Sequence, residues 1–364
     1  MHPIEKALRD AEFLMKPGFY AVVDGQYGST GKGLLASVLA EHLKGRVGLV
    51  TSNAGPNSGH TSYYGDEKVV LRQLPTFSVM HSKYHGYMPR THLNSGAIIE
   101  PECLKEETDL YVKHHWTLTV SRNAAVVGGA AKEMEKKLIG RIGSTGKGTG
   151  GALASKILRH PTAVFGGVHD DDTIMELVGK FGSKGTDIEV SLAMGAFGTV
   201  LAEVSQGFSL SLNAGGFYPY CTSRDCTVMQ SMSDAGFHPS SYRDCAMVVR
   251  TFPIRVAGNS GPCHTDQQEI TWDAVGQQPE LTTVTQKVRR IFTWSRQQFK
   301  SALLANRPGV LMVNFMNYLP NDTDHGEWLY ENVMQPYCEV MSSVPKAVLL
   351  GYGPKNEDVR AWDW

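Results

Sequence analysis

The stretch Phe19-Tyr20-Ala21-Val22-Val23-Asp24-Gly25-Gln26-Tyr27-Gly28-Ser29-Thr30-Gly31-Lys32-Gly33 runs from an apolar segment into a glycine-rich loop. Beyond it, Leu34, Leu35, Val38, Leu39 and Leu43 fall at helical spacing. Strand, glycine loop and helix together aim backbone N–H groups and the positive end of a helix dipole at a phosphate. Lys32 adds a point charge. The spacing is not that of a Walker A loop, whose first glycine would fall at Gln26 and whose Ser or Thr would fall at Gly33. Taken alone, the stretch could also be a plain glycine turn. The hexapeptide GSTGKG recurs, however, at Gly143 to Gly148. A six-residue repeat within one chain argues for a shared task.

Working outward, short apolar runs recur between glycines and polar turns. They are Val47–Val50, Ala124–Val127, Val190–Met194, Ala246–Val249, Gly309–Val313 and Ala347–Leu350. Continuous runs of this length suit buried strands of a mostly parallel sheet. Helical stretches lie between them, as at Lys132–Leu138 and Trp294–Leu304. The expected class is α/β, with a mostly parallel central sheet, flanking helices and long functional loops. Residues 1–364 are read as a single domain, with Gly258–Pro279 as an excursion loop.

Net charge is −1, so composition gives no reason to expect a nucleic-acid partner. The six cysteines include no C-x-x-C pair, and reduced thiols are expected instead of zinc or disulfides. Met1 to Lys16 mixes charges and lacks a signal-like apolar core, and no apolar run reaches membrane-spanning length. The expectation is a cytoplasmic protein with no membrane partner.

A second chemistry-bearing stretch is Asn53-Ala54-Gly55-Pro56-Asn57-Ser58-Gly59-His60-Thr61. A histidine in such a loop suits acid or electrostatic work on a transferring group. His169-Asp170-Asp171-Asp172 reads better as a helix N-terminal cluster than as a metal site. Cys221 to Cys226 lacks zinc spacing, and Trp272, Trp294 and Trp328 read as packing.

These residues carry a resemblance to the adenylosuccinate synthetase family. Gly25 to Gly33 resembles its phosphate loop, GxQWGDEGKG, and Asn57 to Thr61 resembles NAGHT. Gln73-Leu74-Pro75, Asn94 to Pro101, and Ile142 to Gly150 (compare IGTTGRGIG) follow in order. So do Gln206-Gly207, Tyr218 to Ser223 (YPFVTSS), Thr251 to Gly258 (TTRVGEG), Thr282 to Arg290 and Gly353-Pro354. The resemblance implies a ligase that couples aspartate to position six of a purine mononucleotide through a 6-phosphoryl intermediate.

It also implies roles. Ser29, Lys32 and His60 fall at catalytic positions. Ser29, Asn57, Ser144, Thr145, Gln206, Leu210, Thr222 and Val256 would hold the mononucleotide, and Arg159 would reach a partner subunit's nucleotide across a homodimer. Thr30, Gly31, Lys32, Gly33, Gly59, His60, Thr61, Asn314, Asn317, Gly351, Gly353 and Pro354 would hold the triphosphate. Thr283, Val284, Thr285, Lys287 and Arg289 would receive aspartate, and Ser29 with the Gly59 carbonyl would face Mg2+.

Three departures point one way. Ser29 stands where the family has its catalytic aspartate, and serine cannot act as a carboxylate base. Its smaller side chain opens space beside position two of a purine, which favours a 2-amino base; Asp24 is the candidate to take over base or magnesium duty. Asn317 replaces the aspartate that reads a guanine donor, which favours ATP or dATP. Lys287 replaces an arginine that reaches a ribose, which suits a deoxyribose. Together they resemble a phage-encoded branch of the family that joins dGMP and aspartate with ATP. Two alternatives stay open: an ordinary member using IMP and GTP, or a nucleotide-binding regulatory protein without catalysis.

Overall fold

The computed structural model describes residues 1–193, 198–282 and 286–363. Its central sheet contains β1 (Gly18–Asp24), β2 (Leu49–Ser52), β3 (Arg90–Leu93), β4 (Leu118–Val120), β5 (Thr199–Glu203), β6 (Tyr242–Arg250), β7 (Val310–Asn314), β8 (Ala347–Gly351) and β9 (Val359–Ala361). Their order is β9-β8-β7-β6-β1-β5-β2-β3-β4. Neighbours are parallel except β8 and β9.

Both faces of this sheet are covered. Tyr20 and Val22 of β1 join a cluster with Leu35, Val38 and Leu39 of the helix Lys32–His42. Phe19, Ala21 and Val23, one residue out of step, join the opposite cluster with Met232, Phe299 and Leu303. Side chains alternate across a strand, so a strand dry on both faces must be apolar throughout. That explains the continuous runs in the sequence.

The parallel arrangement positions the site. The loops after β1, β2, β5, β6, β7 and β8 all leave from the same edge of the sheet. Chain order reverses on either side of β1, and ligand sites of open α/β sheets sit at such a switch point.

Two expected strands differ from the structure. Val190–Met194 was expected to be a strand, but Asp187–Ala193 is a helix; Met194 lies outside the described residues. The reason is a capping box. The Thr186 amide donates to Glu189 Oε2 at 2.8 Å, and the Glu189 amide donates to Thr186 Oγ1 at 3.4 Å. The nearby sheet strand is β5, which the apolar pattern did not single out. Ala125–Val126 is a strand, but it pairs with Ile98–Ile99 outside the central sheet. The segment Gly258–Pro279 is largely irregular and adds only Glu269–Ile270 to a small sheet with Ile254–Arg255 and Arg290–Phe292. At His169–Asp172, Asp171 caps the helix Asp172–Phe181 by accepting the Ile174 amide at 3.0 Å, as the sequence suggested.

Candidate active site

β1 ends at Asp24, and the following loop folds over that buried carboxylate. Asp24 Oδ1 accepts the amides of Gln26 at 2.8 Å and Gly28 at 3.2 Å. Oδ2 accepts the Thr30 hydroxyl at 2.6 Å and the Lys32 ammonium at 3.3 Å. Four donors saturate a carboxylate. Asp24 therefore organises the loop and is not free to receive a substrate proton, contrary to the role expected for it. In the family motif as written, acidic residues stand where Ser29 and Thr30 stand here; in this chain the loop's carboxylate comes from the strand end beneath.

Ser29 has φ +56°, between Gly28 at +88° and Gly31 at +101°. Gly31 caps the helix Lys32–His42, and a side chain there would strike the Asn314 amide. A Cβ on Gly33 would lie 2.7 Å from the Thr61 carbonyl oxygen. The helix thus packs against the hairpin His60–Tyr64/Glu67–Leu71 at backbone distance, which brings Lys32 beside His60.

Two cavities meet over this loop. Ser29, Lys32, Gly59, His60 and Arg289 line both. On one side, Asn57, Ser144, Thr145, Gln206, Leu210, Val256 and Lys287 complete the wall, and Thr222 lies in the adjoining extension. On the other side stand Thr30, Gly31, Gly33, Thr61, Asn314, Asn317, Gly353 and Pro354. Gly351 sits behind this wall, where its lack of a side chain makes room for Asn314. Arg159 is exposed, has φ +60°, and lines neither cavity. Thr283, Val284 and Thr285 lie outside the described residues.

At the junction, Lys32 Nζ donates to the Gln206 carbonyl at 2.7 Å as well as to Asp24. Burial and the Lys32 charge hold the His60 imidazole down to about 3, so it is neutral near pH 7. No Asp or Glu is among the described residues lining the central chamber. Such a lining can polarise an oxygen, and among the described residues it supplies no carboxylate base.

The second GSTGKG loop is built differently. The buried Glu135 carboxylate accepts the Gly148 amide at 2.8 Å, the Thr149 hydroxyl at 3.2 Å and the Gly150 amide. The helix here starts at Thr149, one residue after the hexapeptide, whereas the first begins inside it at Lys32. The first helix N-terminus is left open toward the cavities, and the second is filled by a protein anion.

The sequence reading passed over several contributors. Arg250, fully buried at the end of β6, donates to the Ser29 carbonyl at 3.1 Å and pairs with Glu280. The signal available was a charged residue directly after the apolar run Ala246–Val249. Tyr27 also lines the central chamber; its hydroxyl is 2.9 Å from Gln267 Oε1, and the Arg255 guanidinium lies 4.6 Å from its ring centroid. Glu135 sits mid-helix with no motif to mark it.

Comparison with known proteins adds four findings. A family model described as adenylosuccinate synthetase matches residues 21–186 and 180–319. The N6-succino-2-amino-2'-deoxyadenylate synthase of Vibrio phage phiVC8 is 35% identical over 348 residues, 93% of this chain and 96% of its own. The adenylosuccinate synthetase of Thermococcus sibiricus is 33% identical over 284 residues, 75% of this chain and 76% of its own. Among solved structures, the cyanophage S-2L succinoaminodeoxyadenylate synthetase (PurZ), bound to dGMP and dATP as an energy donor, superposes with TM-score 0.81 and 32% identity, covering 95% of each chain.

Proposed function

Because this chain belongs to the adenylosuccinate synthetase family, we propose that it joins L-aspartate to position six of dGMP, using ATP or dATP. The product is 2-amino-2'-deoxy-N6-succinyladenylate. The observation that carries this reading is Ser29 at the junction of the two cavities, with no Asp or Glu among the described residues that line the chamber on the mononucleotide side. A small hydroxyl there leaves room for a 2-amino group and can accept its hydrogen bond. The phage relative's name and the cyanophage structure's dGMP and dATP support the same choice.

In this reading the mononucleotide lies along Asn57, Thr145, Gln206 and Thr222, and the donor along Gly31, Gly33, Asn317 and Pro354. The oxygen at position six attacks the γ-phosphorus, the bond from that phosphorus to the bridging oxygen breaks, the nucleoside diphosphate leaves, and the N1 proton passes to solvent water. The aspartate amine then adds at carbon six and phosphate departs with the old oxygen. Lys32 and His60 face the transferring group, where fixed donors act on charge that develops in the transition state. Arg289 can fork onto an aspartate carboxylate.

Magnesium fits this residue set. Among the described residues no cluster of three His, Cys, Asp or Glu could cage a metal, which suits an ion carried chiefly by the donor phosphates. Ser29 Oγ and the Gly59 carbonyl would be its protein oxygens. When bound, the ion supplies charge neutralisation at the phosphoryl group.

A homodimer that shares Arg159 across its interface is part of the proposal. Ile157 (75% exposed) and Leu158 (79% exposed) adjoin Arg159 and give the surface something apolar to bury. Among the described residues no helix is long and apolar enough to cross a membrane; the phage relatives favour the cytoplasm of an infected host.

The test is a pairing assay. The protein is incubated with aspartate, Mg2+ and each combination of IMP or dGMP with GTP, ATP or dATP, and products are read by mass spectrometry. Succinylated dGMP with ATP or dATP is expected. Product from IMP with GTP alone would sink the reading, and binding without product would favour a regulatory protein.

A further inference from the structure

Glu280 belongs to two sites at once. Its backbone carbonyl accepts the Arg289 amide at 2.9 Å. With the Leu281–Val288 bridge, that bond closes the root of the loop assigned above to aspartate. Its side chain turns the other way and lines the donor cavity. There Oε1 accepts Arg250 Nη2 at 2.6 Å and the Tyr318 hydroxyl at 3.2 Å, while Oε2 lies 3.4 Å from Arg250 Nη1.

Arg250 extends the connection. Its guanidinium stacks 3.8 Å over the Phe315 ring centroid and donates to the Ser29 carbonyl. Its backbone N–H and C=O are held by the Gln26 side-chain amide at 2.9 and 3.0 Å. The Ser29 loop, the end of β6, the Phe315–Tyr318 turn and the root of the aspartate loop therefore meet on one ion pair.

Arg250 is fully buried and the Glu280 side chain is 27% exposed; a charge-assisted pair anchored on a buried guanidinium is directional, and its partners move together. A donor base entering between Asn317 and Pro354 packs on the Phe315–Tyr318 turn. Any shift of that turn moves the Arg250 stack and the Tyr318 hydroxyl, and with them Glu280 and the Arg289 amide. We propose that Glu280 is a positioning residue that couples the donor cavity to the aspartate loop, so that donor and aspartate each tighten the other's binding. The effect is reciprocal by linkage. It rests on the substrate reading above.

The experiment is calorimetric titration of the full chain, with dGMP and Mg2+ present, by a non-hydrolysable ATP analogue, with and without saturating aspartate. In the wild type, aspartate is expected to lower the analogue's Kd at least about fivefold, within the ordinary range of coupling. In Glu280→Gln that factor should fall below about twofold. Tyr318→Phe removes one hydrogen bond and no charge, should give an intermediate factor, and carries the test if Glu280→Gln does not fold. An unchanged factor in whichever variants fold, or no effect of aspartate in the wild type, overturns the coupling. A Glu280→Gln protein that loses the analogue outright does so too, since Glu280 would then be a simple donor contact. The substrate reading fails separately, if the wild type forms no succinylated dGMP.

Discussion

Glu135 Oε2 accepts the Gly148 amide at 2.8 Å, so a protein carboxylate occupies the helix N-terminus behind the second GSTGKG loop. In the proposed reading, a mononucleotide held by Ser144 and Thr145 lies beside that N-terminus and not on it. Glu135→Gln keeps the size but turns an amide donor toward one of the backbone N–H groups. We expect the KM for dGMP to rise about tenfold, the worth of one good hydrogen bond, with the donor KM little changed. Steady-state kinetics with each substrate varied would decide; an unchanged dGMP KM removes Glu135 from the site.

Asp24 plays the matching part in the first loop, but with Lys32 among its donors. Asp24→Asn can satisfy only part of that set and leaves the buried lysine without its anion. A loss of roughly 2–4 kcal/mol in stability is expected, with a raised donor KM. Denaturant titration and donor kinetics check it. Full stability in the variant would mean the loop is held from elsewhere.

Ser29→Asp tests the choice of base. Its φ of +56° is a conformation that aspartate tolerates, so the loop should keep its shape. Use of dGMP should fall and use of IMP should rise. An unchanged preference in competition between the two mononucleotides places discrimination outside the loop.

His60→Gln should lower turnover about 100- to 1,000-fold, the usual loss of one well-placed donor, with dGMP affinity largely kept. Wild-type turnover would take His60 out of the chemistry. The same residue sets a pH signature. Its imidazole is held down to about 3 from 6.5, so the unfolded chain binds that proton more readily. Its contribution to stability is whole above about pH 6.5 and is lost as pH falls toward 3. Between pH 7 and 4 the melting temperature of the ligand-free protein should therefore fall more steeply with pH for wild type than for His60→Gln.

Arg159→Ala tests the shared site. Alone, the variant should raise the KM for dGMP. Mixed with a His60→Gln protein after subunit exchange, it should regain activity, because one site of the mixed dimer then has both residues. No recovery at any ratio would argue that each subunit works alone.

Much of this was legible in the sequence. Phe19–Val23 reads as a doubly buried strand because period-two alternation cannot hide in a run that is apolar throughout. Gly28, Gly31 and Gly33 stand where positive φ or backbone contact demands glycine. The ordered motifs found the walls of both cavities. What they could not give is the direction of a side chain. Asp24 looked like a spare carboxylate, yet it points under its own loop. Gly351 looked like a donor contact, yet it makes room for Asn314. Val190–Met194 looked like a strand because its apolar residues outweighed the Thr186/Glu189 capping signal.

The two hexapeptides mark the boundary. By itself the sequence determined that GSTGKG occurs twice and that the first copy leads into a helix. Only the tertiary structure decided what each copy became. In the first, Asp24 reaches up from the end of β1, gathers Gly28, Thr30 and Lys32, and starts the helix at Lys32. In the second, Glu135 comes from the preceding helix, takes the Gly148 and Gly150 amides, and delays the helix to Thr149. Identical residues have identical local preferences. Where their backbone amides found a buried anion therefore decided between an open phosphate loop and a filled one.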